Sequence, residues 1–278
     1  MAYRTILVHC DDTAQGERRL RYAERLAEAE QARIVGLWVS EPPPRAPYIE
    51  TPFITDLARL HDDQQATRAA TAREVFERVV GAPGVSGEWR MAVGDPRDAL
   101  IAQLRYADLG IVGQFDREAP FPDHWRTVPQ DVAMACGRPL IVVPFIGAPD
   151  TVAEHVLVAW NEGREATRAV SDALPLLSRA KRVTVLVVDP RPGRDGHGEE
   201  PGADVAAWLT RHGVSVTVQR DRASDTDIGE LMLSRVSDLG IDLVVMGIFG
   251  HSRLREMVLG GVSRTMLASM TVPLLIAH

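Results

Sequence analysis

Apolar positions in this chain fall in short unbroken runs, and the runs come in matched pairs. Ile6, Leu7 and Val8 lead to His9, Cys10, Asp11 and Asp12, while Val156, Leu157 and Val158 lead to Ala159, Trp160, Asn161 and Glu162. Each run is followed by a stretch with the apolar spacing of a helix, Arg19 to Ala27 and Ala166 to Leu177. Each of those leads into a second run, Arg33 to Val39 and Arg182 to Val188. A later pair matches more closely, Ala107 to Gly113 with Ile241 to Gly247. The last pair is Arg138 to Val143 with Val272 to Ala277, and each member carries a proline at its second residue. Runs that are apolar at consecutive positions predict strands buried on both faces, as in a parallel sheet covered by helices. Helices between them imply right-handed crossovers. The fold class predicted is α/β: two doubly wound units, each with a five-stranded parallel sheet, related by a pseudo-two-fold axis.

The repeat sets the domain organisation. A Gly/Pro linker from Phe145 to Thr151 separates a domain at residues 1–147 from one at 152–278. The length of 278 residues suits two compact domains of ordinary size. Proline-rich stretches, Glu41 to Pro52 and Asp189 to Gly202, follow the second strand of each half, so they overhang the carboxyl edge where such sheets bind ligands. The halves differ in their middle. The first has a long Ala/Arg-rich helix from about Thr55 to Val80, the second a shorter one near Ala203 to His212.

Composition narrows the function. With 45% hydrophobic and 25% charged residues the chain can bury a real core. A net charge of -7 gives no footprint of a nucleic-acid binder. No apolar run approaches the roughly 20 residues of a membrane span, and the start of the chain has no secretory leader pattern. The two cysteines, Cys10 and Cys136, form no C-x-x-C pair, so free thiols in a reducing, cytoplasmic compartment are expected. The histidines show no metal-ligand spacing. Lys181 is the single lysine, and the P-loop pattern G-x-x-x-x-G-K-[ST] is absent.

The strongest chemical signal lies near the end of the second half. Gly247, Ile248, Phe249 and Gly250 are followed, nine residues on, by Gly260, Gly261, Val262 and Ser263. The set follows a strand and precedes a helix expected from about Ser263 to Ser269. Glycines there let backbone amides approach a ligand closely. A helix start adds unpaired N–H groups and a partial positive charge. Ser263 can donate a hydroxyl or cap the helix. The same residues equally suit tight turns and a cap with no ligand at all. His251, Ser252 and Arg253 lie inside the motif; Arg253 can pair with a phosphate, while Arg255 reads as a solvated charge. His9, beside Asp11, is either a proton carrier or a packed polar residue facing the cleft.

This arrangement resembles the universal stress protein family, which carries G-x-x-G, nine residues, then G-[ST] at this place in an adenine nucleotide alpha hydrolase-like, Rossmann-like fold. Gly247, Gly250 and Gly260 match, as does Ser263 at a second hydroxyl position. Gly261 replaces the serine that usually follows the third glycine. The resemblance implies that an aspartate after the first strand holds the adenine side. Asp11 matches it in the first half, and Asn161 stands there in the second. Val187 falls where the family uses a backbone contact to adenine. In the first half the motif is degenerate: Gly113 is retained, but Asp116 and Arg126 occupy the second and third glycine positions, and an aspartate there repels phosphate.

Three readings follow. The first is a stress-response protein that binds one ATP or related adenine nucleotide in its C-terminal half, without a metal requirement and with little or no turnover. The others are a weak nucleotide hydrolase, and a scaffold or small-ligand sensor that has lost nucleotide binding. No nucleophile, base and orienter are spaced together. The missing hydroxyl at position 261 removes one charge-assisted hydrogen bond, worth about 1.5–3 kcal/mol, so weak binding is expected. The resemblance also implies that the last strands of the two halves, Leu140 to Val143 and Leu274 to Ala277, pair within the chain as a pseudo-dimer. Further homo-oligomerisation is left open, with neither membrane nor nucleic acid as a partner.

Overall fold

A computed structural model describes residues 2–42, 52–81, 84–116, 118, 122–190, 200–223, 227–249 and 261–278. The first half runs β1 (Thr5–His9), α1 (Ala14–Glu30), β2 (Arg33–Ser40), α2 (Pro52–Val80), β3 (Ser86–Val93), α3 (Pro96–Leu104), β4 (Leu109–Gly113), a 3-10 turn (Asp123–Thr127), α4 (Val128–Cys136) and β5 (Leu140–Val143). The second half repeats the order: β6 (His155–Ala159), α5 (Arg164–Leu177), β7 (Arg182–Val188), α6 (Ala203–Arg211), β8 (Val216–Asp221), α7 (Ile228–Asp238), β9 (Leu243–Gly247), α8 (Gly261–Ser269) and β10 (Leu274–Ala277). Most of the proline-rich stretches after β2 and β7 lie outside the described residues.

The ten strands among the described residues form one sheet, in the order β3-β2-β1-β4-β5-β10-β9-β6-β7-β8. Read outward from the centre, each half has the same strand order, as a pseudo-two-fold requires. Pairing is parallel within each half and antiparallel at the seam, where Leu274 faces Val142, Leu275 faces Ile141 and Ile276 faces Leu140. The central strands are apolar at successive positions because helices cover both faces. Ile6 and Val8 pack toward α1, whereas Leu7 packs on the opposite face. The outer strand β3 is largely exposed, with Met91 and Val93 in solvent.

Local sequence sets the helix ends. Thr13 caps α1, its hydroxyl accepting from the Gly16 amide at 3.0 Å. Asp95 caps α3 and Asp227 caps α7 in the same way, and Pro96 takes the first turn of α3. Gly137, in the left-handed region at φ 67°, closes α4. Beyond the seam, side chains tie the halves together. Tyr3 Oη donates to the Asp172 carbonyl at 2.6 Å, and Arg179 pairs with buried Glu30 at 2.7 Å. Arg25 and Arg18 on α1 donate to the linker carbonyls of Pro149 and Phe145. Both cysteines are free, Cys10 buried just past β1 and Cys136 at the end of α4. Among the described residues no helix is long and apolar enough to cross a membrane.

Candidate functional site

In each half the chain leaves the central strand toward one side of the sheet and returns on the other. The carboxyl ends of β1 and β4, and of β6 and β9, therefore flank a switch point, the place where open α/β sheets take ligands. The sequence supplies different residues to the two crevices.

The first crevice is filled from below and covered from above. Arg19 lies on the buried stripe of α1 with Gly16, Leu20 and Ala23, and its side chain turns into the crevice. Its Nε donates to the His9 carbonyl at 2.7 Å, and its Nη2 meets Asp11 Oδ2 in a short ion pair. Asp11 Oδ1 accepts from the Thr13 amide at 2.9 Å and from the Thr13 hydroxyl. Burial alone raises the Asp11 carboxyl, but the Arg19 guanidinium, His9 and the Thr13 hydrogen bond override it and hold the group at about 2. Burial first, and the Arg19 charge second, lower His9 to about 3 against the smaller pull of Asp11, so its imidazole is neutral. His9 is thus a packed residue, not a proton carrier at neutral pH.

Above them the Trp125 ring lies 4.7 Å from the His9 ring, centroid to centroid. Glu41, just past β2, holds that cover: Trp125 Nε1 donates to one carboxylate oxygen at 2.6 Å, and His124 Nε2 lies 2.7 Å from the other. Asp116 bonds to Gln15 Nε2 at 2.7 Å and to the Glu118 amide at 2.9 Å. The cavity left between these groups has about 40 Å³. That is room for a few waters, against the several hundred Å³ of a cofactor site.

In the second crevice the corresponding positions are small. Counting from the matched strand starts Thr5 and His155, Ala159 stands for His9 and Ala169 for Arg19. Asn161 is exposed just past β6, and its Oδ1 accepts from the Gly163 amide at 3.0 Å, forming an Asx turn into α5. Gly247 ends β9 against the start of α5, where an added Cβ would lie 2.4 Å from the Ala166 amide nitrogen. This glycine is therefore required by helix–strand contact whatever the ligand. Val187 is fully buried in β7, which leaves its backbone alone to meet a ligand.

The last helix begins at Gly261, two residues before the expected start. Ser263 is accordingly its third residue, buried and inside the first turn, and not its cap. Because α8 runs antiparallel to the strand that follows it, Gly261, Val262 and Ser263 lie at the carboxyl edge of the sheet, the edge that holds Asn161 and Gly247. Among the described residues the nearest atom to an added Gly261 Cβ is Asp227 Oδ2, at 3.9 Å. Gly250, His251, Arg253 and Gly260 lie outside the described residues.

Backbone strain also separates the halves. Glu162 (φ 61°), Asp189 (φ 49°) and Phe249 (φ 60°) adopt left-handed conformations just beyond the ends of β6, β7 and β9. Their first-half counterparts Asp12, Ser40 and Phe115 do not. Non-glycine residues in this region concentrate where a loop is held for function.

The fold and its paired crevices define a tandem α/β protein built on one repeated sheet unit. The universal stress protein family matches residues 2–144 and again 153–278, and the chain belongs to that family. A universal stress protein from Archaeoglobus fulgidus DSM 4304 is similar in fold, with a TM-score of 0.70 and 15% identity over 98% of this chain and 97% of its own. A functionally unknown protein from Pseudomonas aeruginosa PAO1 matches 99% of this chain and 92% of its own, at a TM-score of 0.58 and 15% identity. A universal stress protein in complex with cAMP is 24% identical over 52% of this chain and 99% of its own, with a TM-score of 0.37. No curated protein matches the chain.

The filled first crevice was not foreseen in its parts. Asp11 and His9 stand out in the sequence as single residues, but Trp125, Arg19 and Glu41 do not. The available signal was an arginine at a buried position of α1 where the repeat has alanine.

Proposed function

We propose that this chain binds one adenine nucleotide, ATP or a close relative, in its C-terminal half, with little or no turnover, and that its N-terminal half is a closed, structural counterpart. The reading treats residues 1–147 and 152–278 as the two domains, working in the cytoplasm as a pseudo-dimer. The observation that carries it is the contrast between the crevices. Arg19, His9 and Trp125 fill the first, whereas Ala169 and Ala159 stand at the corresponding positions of the second.

The three strained residues around the second crevice support the same reading. So does the place of α8, whose first turn lies at the carboxyl edge of the sheet, where helix N–H groups suit an anion. Asn161 would meet the adenosine end from its side-chain amide and Val187 from its backbone. Gly247, Gly250, Gly260 and Gly261 would let the chain approach the phosphates, with Val262 and Ser263 following in the helix and His251 and Arg253 in the motif between. Among the described residues no cluster of three metal-binding side chains occurs.

Calorimetric titration with ATP tests the proposal. One weak site per chain is expected, abolished by Gly250→Asp or Gly260→Arg, which install the first-half residues. Two equivalents would contradict the closed first half. No heat at millimolar ATP would overturn the nucleotide reading in favour of a scaffold.

A further inference from the structure

The two halves are joined at a point that bears on the second crevice. Gln114 follows Gly113 at the end of β4 and is buried. Its amide hydrogen bond to the Val143 carbonyl, at 2.8 Å, continues the sheet. Its side chain leaves the first half. Nε2 donates to the carbonyls of Leu267 and Ala268 at 2.9 and 3.0 Å, and Oε1 accepts from the Phe145 amide at 3.1 Å. The amide orientation is fixed by these partners, since the flipped form would set oxygen against two carbonyls.

Leu267 and Ala268 lie in the last turn of α8, where backbone carbonyls have no partner within the helix. Helices usually resolve this with a glycine in the left-handed region, as α4 does at Gly137. The sequence after α8 reads Met270, Thr271, Val272, Pro273, with no glycine, and its last turn has no basic residue. The cap that α8 lacks is supplied by the other half. The pseudo-two-fold does not return the favour. The residue corresponding to Gln114 is Ile248, an apolar side chain fully buried in the core.

We infer that Gln114 is a positioning residue for the second crevice: by bonding the C-terminal carbonyls of α8 it fixes the seat of the helix whose opposite end faces the crevice. This rests on the nucleotide reading above. Met266 in the core and Thr265 against Gly229 of α7 hold the helix along its side, and the two bonds anchor its C-terminal end, so together they set the aim of the amides at the other. The first half then retains a role in ligand binding although its own crevice is closed.

The test compares wild type with Gln114→Leu, Gln114→Glu and Gln114→Asn in the full chain. Amide hydrogen exchange of α8 and calorimetric titration with ATP are the two readouts. Gln114→Glu keeps the shape but, when ionised, turns a carboxylate oxygen toward the two carbonyls, so it should loosen the helix at least as much as Gln114→Leu. Both should exchange the amides of α8 at least ten-fold faster than wild type and bind ATP about five- to ten-fold more weakly. Gln114→Asn, which keeps a shortened donor, should fall between. Faster exchange with unchanged ATP affinity would overturn the positioning role and leave a structural cap. Unchanged exchange would show that the bonds do not seat α8 and overturn the inference at its root. Failure of the wild type to bind ATP would reject the nucleotide reading itself, and the role of Gln114 with it.

Discussion

His9 gives the sharpest test of the closed crevice. In the folded chain it is neutral because it is buried beside the Arg19 guanidinium, and it is held at about 3. In the unfolded chain a histidine titrates near 6.5. Between those values the unfolded state binds one more proton than the folded state, so stability must fall as pH falls. The contribution is fully present above about 6.5 and is lost progressively toward 3. At pH 5 the gap is about 1.5 units below the unfolded value, or about 2 kcal/mol at 1.36 kcal/mol per unit. That figure barely changes if the folded value lies one unit higher.

Asp11 does not confuse this window. Its group is lowered to about 2, so its contribution is lost only as pH falls below about 3.9. Urea unfolding followed by far-ultraviolet circular dichroism at pH 7, 6 and 5 measures the slope. His9→Gln should lose the one-proton dependence, so its stability relative to wild type should improve by about 2 kcal/mol between pH 7 and pH 5. A variant with the same slope as wild type would refute the reasoning. So would an NMR titration of His9 centred near 6.5 in the folded protein.

Further outcomes follow from other contacts. Asp11→Asn leaves the Arg19 charge buried without its partner and should cost about 3–5 kcal/mol, while a double variant that also carries Arg19→Met should recover part of that loss by thermal or urea unfolding. Gly247→Ala pushes a methyl into the start of α5 and should destabilise the fold by about 1–3 kcal/mol; an unchanged melting temperature would mean the helix yields freely. Burial pushes the Cys10 thiol up to about 12 and also raises Cys136, so neither should react quickly with a disulfide reagent at pH 8, and Cys10 should react only on unfolding. Rapid modification of two thiols in the native chain would contradict that.

Eight of the ten strands were legible because helices on both faces force apolar residues at consecutive positions, as in Ile6 to Val8 and Leu243 to Met246. The third strand of each half was counted but not located. Ser86–Val93 and Val216–Asp221 are the outermost strands, covered incompletely, and their residues are a mixture of exposed and half-buried with no fully buried run. Glycine positions at the strand ends could be read from spacing alone. Their cause could not: in the sequence Gly247 suits a ligand contact or a tight turn, and the structure adds a third demand, close approach to the backbone of α5. The plug was hidden for a different reason. Asp11 and Arg19 are eight residues apart, and Trp125 and Glu41 reach them only through the sheet, so no local pattern brings them together. The helix-start error at Ser263 has a local origin, since a serine after glycines is a strong capping signal and the chain had already entered the helix at Gly261.

The antiparallel seam between β5 and β10 lies inside one covalent chain. In a homodimer built on such a seam, every substitution appears on both sides of the axis, so a new contact must be tolerated twice. Here each side can change alone. A glutamine can reach across at position 114 while an isoleucine stays home at 248, and an arginine can fill one crevice while an alanine stands at the matching position of the other. The linker also keeps the partner at a local concentration that dilution cannot lower. A protein of this form can therefore specialise its halves without risking exchange of subunits, at any expression level.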